Sequence, residues 1–340
     1  MPSEESGRRI RPVRVEDVAR VAGVSPITVS RALSQPEKVR EETRERVAAA
    51  VAQTGYVVNS LASSLRSGRS SIVTVFVSNL VNPHFAATMQ GIIDAFEGSR
   101  FRLMFSQTGY SELLESDLID AVLPFRPAGV IFTGVVRSEK SRTALQGLGV
   151  PVMEMWGQRP DPIDMLVGFS NADAARLMGD HLGRQGRRHV AYCGHSLGRG
   201  GERIEGLRDV LADHGAELGH VEALEGTGTV TDGMEAFRRI LAAYPSCDAM
   251  FFGTDVLAVG ALLAARYDGI AVPERVAIAG FGDLEFASHV DPPLTSLHID
   301  GREMGLEAGR RMLRRLNGAD VANPVLMRSA TLVTRASTGA

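Results

Sequence analysis

Apolar and polar positions follow two different periods along this chain. From Arg14 to Val58 apolar residues recur at helical spacing, with no strand-like run. From Ser71 onward, short continuous apolar runs alternate with amphipathic stretches. The runs SIVTVFVS, FRLMFSQT, GVIFTG, VPVMEMW, HVAYCG, AMFFGTD and VAIAGFG are bounded by Gly, Asn, Asp or Pro and read as strands. Between them, Phe85–Phe96, Ala172–Arg184, Arg203–His214 and Asp255–Tyr267 read as helices. Alternating β and α predicts parallel sheets with helices on both faces, and continuous apolar strands fit burial on both sides. Residues 71–340 are too many for one small sheet, so two α/β lobes are expected. The predicted fold class is a small all-α head plus an α/β body. Residues 1–13 read as a disordered polar tail, and Ser-rich residues 59–70 as a linker or conditional helix.

The head, residues 14–58, carries a helix-turn-helix pattern in VEDVARVAGVSPITVSRAL. Ala19 is small where two helices must approach, Gly23 supplies the turn, and Val29 points inward. Ser25 then Pro26 is a helix start: a capping hydroxyl, then a residue whose missing N–H costs nothing. The first turn of the second helix is Pro26, Ile27 and Thr28, followed by Ser30 and Arg31. These residues are left to point outward, where such a helix meets base edges in the major groove. Arg31 can donate two bonds to a guanine, whereas Ile27 offers apolar contact such as a thymine methyl. A plain helical hairpin with an exposed arginine is the alternative. Glu41–Thr54 reads as a third helix, acidic at its start and stopped by Gly55.

Charge changes the picture only when it is divided. The 340 residues hold 37 basic and 40 acidic side chains, a net of −3, which argues against a nucleic-acid partner. Residues 1–69 alone hold 12 basic and 8 acidic residues, a net of +4; the remainder is −7. A basic head on an acidic body points to nucleic-acid contact by the head. Cys193 and Cys247 form no disulfide framework, which fits a cytoplasmic protein. No signal peptide and no membrane span is expected. The eight histidines lack metal-ligand spacing, no phosphate-binding loop is present, and no cofactor is expected.

VEDVARVAGVSPITVSRAL, VREETRERV and GYVVNSLASSLRSGRS resemble the head and hinge of the lac-repressor/galactose-repressor family of bacterial transcription regulators. NPHF at Asn82–Phe85, GTDVLAVG at Gly253–Gly260, AIAGFGD at Ala277–Asp283 and PPLTSL at Pro292–Leu297 extend the likeness into the body. Within the family, LSQPEKV, QTGY, and VMEMW followed by DMLVGFSN look most like gluconate-utilisation repressors. The resemblance implies a two-lobed, periplasmic-binding-protein-like body. Lobe one would be residues 71–169 and 299–327, lobe two residues 170–298 and 328–340. It also implies a hinge helix that orders on the operator, with Asn59 as its cap. Leu65 would wedge into the minor groove, Ala62 is the small contact, and Arg66 meets phosphate.

The implied partners are a double-stranded DNA operator, a small sugar or sugar-acid effector such as gluconate, and a second copy of the chain. By the resemblance Arg203 contacts effector and Asp255 accepts its hydroxyl hydrogens. Asn82, His84, Phe85, Tyr110, Trp156, Phe169 and Asp283 are candidates for the rest of the cleft wall. The family usually has Asn-Asp where this chain has Thr254-Asp255, and often Asp where it has Ser170.

One motif points elsewhere. Gly194-His195-Ser196-Leu197-Gly198 matches the nucleophile elbow of α/β serine hydrolases, with Asp255 or Asp283 and His289 or His298 in the right chain order. Against it, Arg199, Gly200, Gly201 and Glu202 are bulky, charged or helix-breaking where close helix packing should begin. No oxyanion loop precedes it, and a helix-turn-helix has no place in a simple esterase.

Overall fold

The computed structural model describes residues 13–56, 70–109, 112–226 and 228–339. The tail 1–12 lies outside them, as do the hinge positions Asn59, Ala62, Leu65 and Arg66 and the cleft candidate Tyr110. The chain divides into two compact units, Met1–Ser70 and Ser71–Ala340.

The first unit is built from α1 (Val15–Ala22), α2 (Pro26–Ser34) and α3 (Glu41–Thr54). Val18, Ala19, Ala22, Val29, Ala32, Val47 and Ala50 form its core. These are small or β-branched side chains, so three short helices close around one another without a large residue. Val15, Val24, Leu33, Val39, Val51 and Tyr56 pack against the rim of this core.

The second unit holds two six-stranded sheets. Lobe one contains β1 (Ile72–Val77), β2 (Arg102–Gln107), β3 (Gly129–Phe132), β4 (Val152–Met155), β5 (Met165–Gly168) and β11 (Val325–Met327). Their order is β11-β5-β4-β3-β1-β2. Lobe two contains β6 (His189–Gly194), β7 (Glu217–Ala223), β8 (Ala249–Phe252), β9 (Ala277–Gly282), β10 (Thr295–His298) and β12 (Thr331–Val333), in the order β12-β10-β9-β8-β6-β7. Among the described strands only β10 with β12 pairs antiparallel. The central strands β3, β4, β8 and β9 are buried throughout, as their unbroken apolar runs require. The edge strand β7 reads ELGHVEA and is largely exposed or half-buried, so it lacks that signature.

Eight helices cover the sheets among the described residues. They are α4 (Pro83–Phe96), α5 (Glu112–Val122), α6 (Glu139–Leu148), α7 (Asn171–Arg184), α8 (Arg199–Asp213), α9 (Val230–Ala243), α10 (Asp255–Tyr267) and α11 (Gly301–Leu316). The helix after β6 starts at Arg199, not at Arg203, so Arg203 lies in its second turn. Gly200 permits this start. A Cβ there would stand 1.7 Å from the His195 carbonyl oxygen, so only glycine lets the first turn close onto the preceding loop. The glycines expected to break a helix here are the residues that let it begin.

Candidate functional site

The outward face of α2 follows from how the helix is started. Ser25 Oγ accepts the Thr28 N–H at 3.1 Å and lies 2.9 Å from Thr28 Oγ1, and Pro26 occupies the first helical position. With Val29 and Ala32 turned inward, Pro26, Ile27 and Arg31 are exposed, and Ser30 and Thr28 partly so. Ile27, 70% exposed, and Arg31 stand one turn apart on the same face.

The turn before α2 is held by Arg46, a residue of the VREETRERV run that is not among the DNA-binding candidates. Gly23 has φ +64, a left-handed position. The Arg46 guanidinium of α3 donates to the Ala22 carbonyl at 2.6 Å and to the Gly23 carbonyl at 3.3 Å. It thus satisfies the open carbonyl end of α1 and places a cation at the negative end of its dipole.

The body site is a seam between the two lobes. Asn82 caps α4, its Oδ1 accepting the His84 N–H at 3.0 Å. This sets the His84 ring against Trp156 and Phe281, with centroids at 5.7 and 6.3 Å. His84 Nε2 abuts Gly282, whose φ is +133 and where a Cβ would lie 1.5 Å from that nitrogen. His84 is 5% exposed, and its Nε2 has no hydrogen-bond partner among the described residues. Burial pulls its pKa down to about 4, partly offset by the Phe281 carbonyl.

From lobe one, a hydrogen-bond chain runs into lobe two. Trp156, held at φ +60, donates Nε1–H to Thr88 Oγ1 at 3.1 Å. Its carbonyl accepts from Asn171 Nδ2 at 3.3 Å, and Asn171 Oδ1 accepts from Arg203 Nε at 2.9 Å. Arg203 Nη1 donates to the Gly253 carbonyl at 3.0 Å, and its guanidinium lies 3.5 Å over the Phe281 ring. Phe85 and Phe169 pack on the two sides of Trp156 at 5.3 and 5.8 Å. The aromatic candidates are therefore core and seam at once.

Asp255 is fully buried at the first position of α10, while Thr254 caps the helix through the Leu257 N–H. Asp255 Oδ2 accepts the Leu284 N–H at 2.7 Å and Oδ1 accepts from Ser296 Oγ at 2.6 Å. Burial pushes its pKa up to about 6 against those two bonds. Asp283, at φ +53, pairs with Arg335 at 2.7 Å and lies 3.2 Å from His298 Nδ1. The seam thus brings together His84, Trp156, Phe169, Arg203 and Phe281, with Asp255 and Asp283 at the ends of the lobe-two strands. Asn171, Ser296 and Phe281, which lie inside the DMLVGFSN, PPLTSL and AIAGFGD runs but are not among the cleft candidates, complete it.

The hydrolase geometry is not assembled. Ser196 is exposed, while Asp255 and Asp283 are engaged by Ser296, Leu284 and Arg335. Among the described residues no group of His, Cys, Asp and Glu could hold a metal, and no helix is long and apolar enough to cross a membrane.

An outward reading helix and a two-lobed α/β body with a polar seam define a ligand-responsive DNA-binding regulator. Residues 14–59 match the family described as bacterial regulatory proteins, lacI family, and residues 179–338 match the periplasmic binding protein-like domain. The HTH-type transcriptional regulator GntR of Pseudomonas aeruginosa is 35% identical over 326 residues, 95% of each chain. The solved LacI family regulator from Silicibacter pomeroyi superposes with a TM-score of 0.88 at 29% identity, covering 96% of this chain and 99% of that one. The lac repressor dimer bound to operator and the anti-inducer ONPF gives 0.76 at 26% identity, covering 97% and 100%. The chain belongs to the LacI family of bacterial transcription regulators.

Proposed function

We propose that this regulator is a cytoplasmic homodimer that holds a palindromic operator and releases it when a sugar acid, gluconate or a close relative, enters the seam. The observation that carries this reading is the seam itself. Arg203, 8% exposed, joins the lobes through Asn171, and His84 brings an unpartnered ring nitrogen from the opposite lobe. A carboxylate placed between them meets a guanidinium and a neutral imidazole, and Asp255 with Asp283 supplies hydroxyl acceptors. The likeness to gluconate-utilisation repressors points the same way. In this reading Ser25, Pro26, Ile27, Thr28, Ser30 and Arg31 face the bases. Residues 59–70, with Asn59, Ala62, Leu65 and Arg66, form the hinge, and residues 71–340 bind effector and pair.

Pairing is supported by apolar side chains left in water. The edge strand β2 shows Met104 and Phe105, α4 shows Ile93, and α10 shows Leu263 and Tyr267. Two heads in one dimer place two reading helices on half-sites about one helical turn apart.

Selection of DNA from a random pool, followed by anisotropy titration, tests the proposal. The expected result is an inverted repeat whose affinity falls steeply with salt and falls again with D-gluconate. A non-palindromic product, or salt-insensitive binding, overturns the operator reading. Release by neutral sugars alone overturns the sugar-acid reading.

A further inference from the structure

Outside the Arg203–Asp255 set, a second group of side chains joins the two lobes. Arg199 opens α8 in lobe two. Its Nη1 donates to the Thr133 carbonyl at 2.6 Å and its Nη2 to Ser78 Oγ at 3.3 Å, both in lobe one. The guanidinium carbon lies 5.1 Å from the centre of the Phe85 ring, also in lobe one. One turn along α8, Glu202 Oε1 accepts from Arg137 Nη2 of lobe one at 2.9 Å. The three-residue spacing puts Arg199 and Glu202 on one helix face.

The receiving side is built in advance. Ser78 follows β1 and Thr133 follows β3, and the Ser78 N–H donates to Thr133 Oγ1 at 2.9 Å. Two adjacent strand ends of lobe one are therefore tied before Arg199 reaches them. None of these bonds uses His84, Arg203 or Asp255. Parting the lobes on this side breaks two charged hydrogen bonds and one ion pair.

We propose that Arg199, with the Arg137–Glu202 pair, is an interlobe latch that biases the body toward the lobe arrangement described here. The two parts differ in strength. Arg199 is half-buried and bonds to neutral acceptors, so its contribution persists in salt. Arg137 and Glu202 have side chains 41% and 28% exposed, so their contribution is small and screened. Because a population-weighted affinity follows the fraction of competent state, weakening the latch alters effector response without touching the effector. Only this last consequence rests on the effector reading.

Paired spin labels in the full-length, ligand-free chain test the latch. Gln146→Cys on α6 of lobe one and Ala242→Cys on α9 of lobe two are exposed, and the native Cys193 and Cys247 are buried away from the label. Arg199→Ala is expected to raise the fraction of longer interlobe distances about tenfold. Arg199→Lys falls between, because the shorter lysine keeps the charge but lacks the planar fork that spans both acceptors. Glu202→Gln gives a change of about twofold, which about 1 M salt reproduces in the otherwise unaltered chain. An unchanged distance distribution in Arg199→Ala and Arg199→Lys, both still folded by circular dichroism, overturns the latch. A separate titration with D-gluconate keeps the two readings apart. If the latch variants open but gluconate moves no distance in any of them, the sugar-acid reading falls and the latch stands.

Discussion

The head and the body solve recognition in opposite ways. In the head, the residues turned outward on α2 are those the core does not use. Val29 and Ala32 are buried, and Ile27 and Arg31, their neighbours along one helix, are exposed. In the body, the polar residues gathered at the seam are the ones that hold the structure together. Arg203 satisfies Asn171 and Gly253, and Asp255 satisfies Leu284 and Ser296. A surface reader can change its specificity at little cost in stability. A seam reader cannot, and for that reason a ligand there can shift the balance between lobe arrangements.

The largest expected effect breaks this contrast directly. Arg203→Met leaves Asn171 Oδ1 and the Gly253 carbonyl buried without their donor. It is expected to destabilise the body by about 4 kcal/mol, read as a lower chemical-denaturation midpoint. A body of unchanged stability would show that Arg203 serves the ligand alone.

Next come the two buried titrating groups, which act in opposite directions. His84 has its pKa lowered to about 4 from 6.5, so the unfolded chain binds more protons between those values and stability rises with pH across that window. Asp255 has its pKa raised to about 6 from 3.8, so the folded chain binds more protons and stability falls as pH rises across that window. Each is worth about 3 kcal/mol across its window, and where they overlap they largely cancel. His84→Gln is expected to leave a body that weakens from pH 4 to pH 6; Asp255→Asn is expected to leave one that strengthens from pH 4 to pH 6.5. Unfolding midpoints in a pH series check both signs, and parallel profiles for the two variants would remove the seam's electrostatics from the argument.

Smaller effects are expected in the head. Arg46→Ala removes the clamp on the α1 carbonyls and is expected to cost about 1.5 kcal/mol, seen as faster amide exchange in α1 and α2 with the body unaffected. Ile27→Ala is expected to leave head stability within about 0.5 kcal/mol. Operator affinity is expected to fall about fivefold at the matched base and far less on mismatched DNA. A uniform loss on all DNA would show that Ile27 supports the fold rather than reading a base.

Much of this molecule was legible from the residues alone. The change of period near Ser71, the Ser-Pro start at Ser25, and the apolar runs of β3, β4, β8 and β9 are local signals, and local signals survive without a structure. So was the outward placement of Ile27 and Arg31, because a helix that buries Val29 has its outer face decided. What only the tertiary structure decided involves residues far apart in the chain. Arg46 reaches the carbonyls of α1, Asn171 links Trp156 to Arg203, Ser296 bridges to Asp255, and Arg199 crosses to Thr133 and Ser78. None of these partners lies within a helical turn of the other, so no period encodes them. Even the start of α8 departs from what composition implies, because glycines that weaken an isolated helix are required where a helix must close onto its own preceding loop. Periodicity depends on neighbours along the chain; a seam between two sheets depends on neighbours in space.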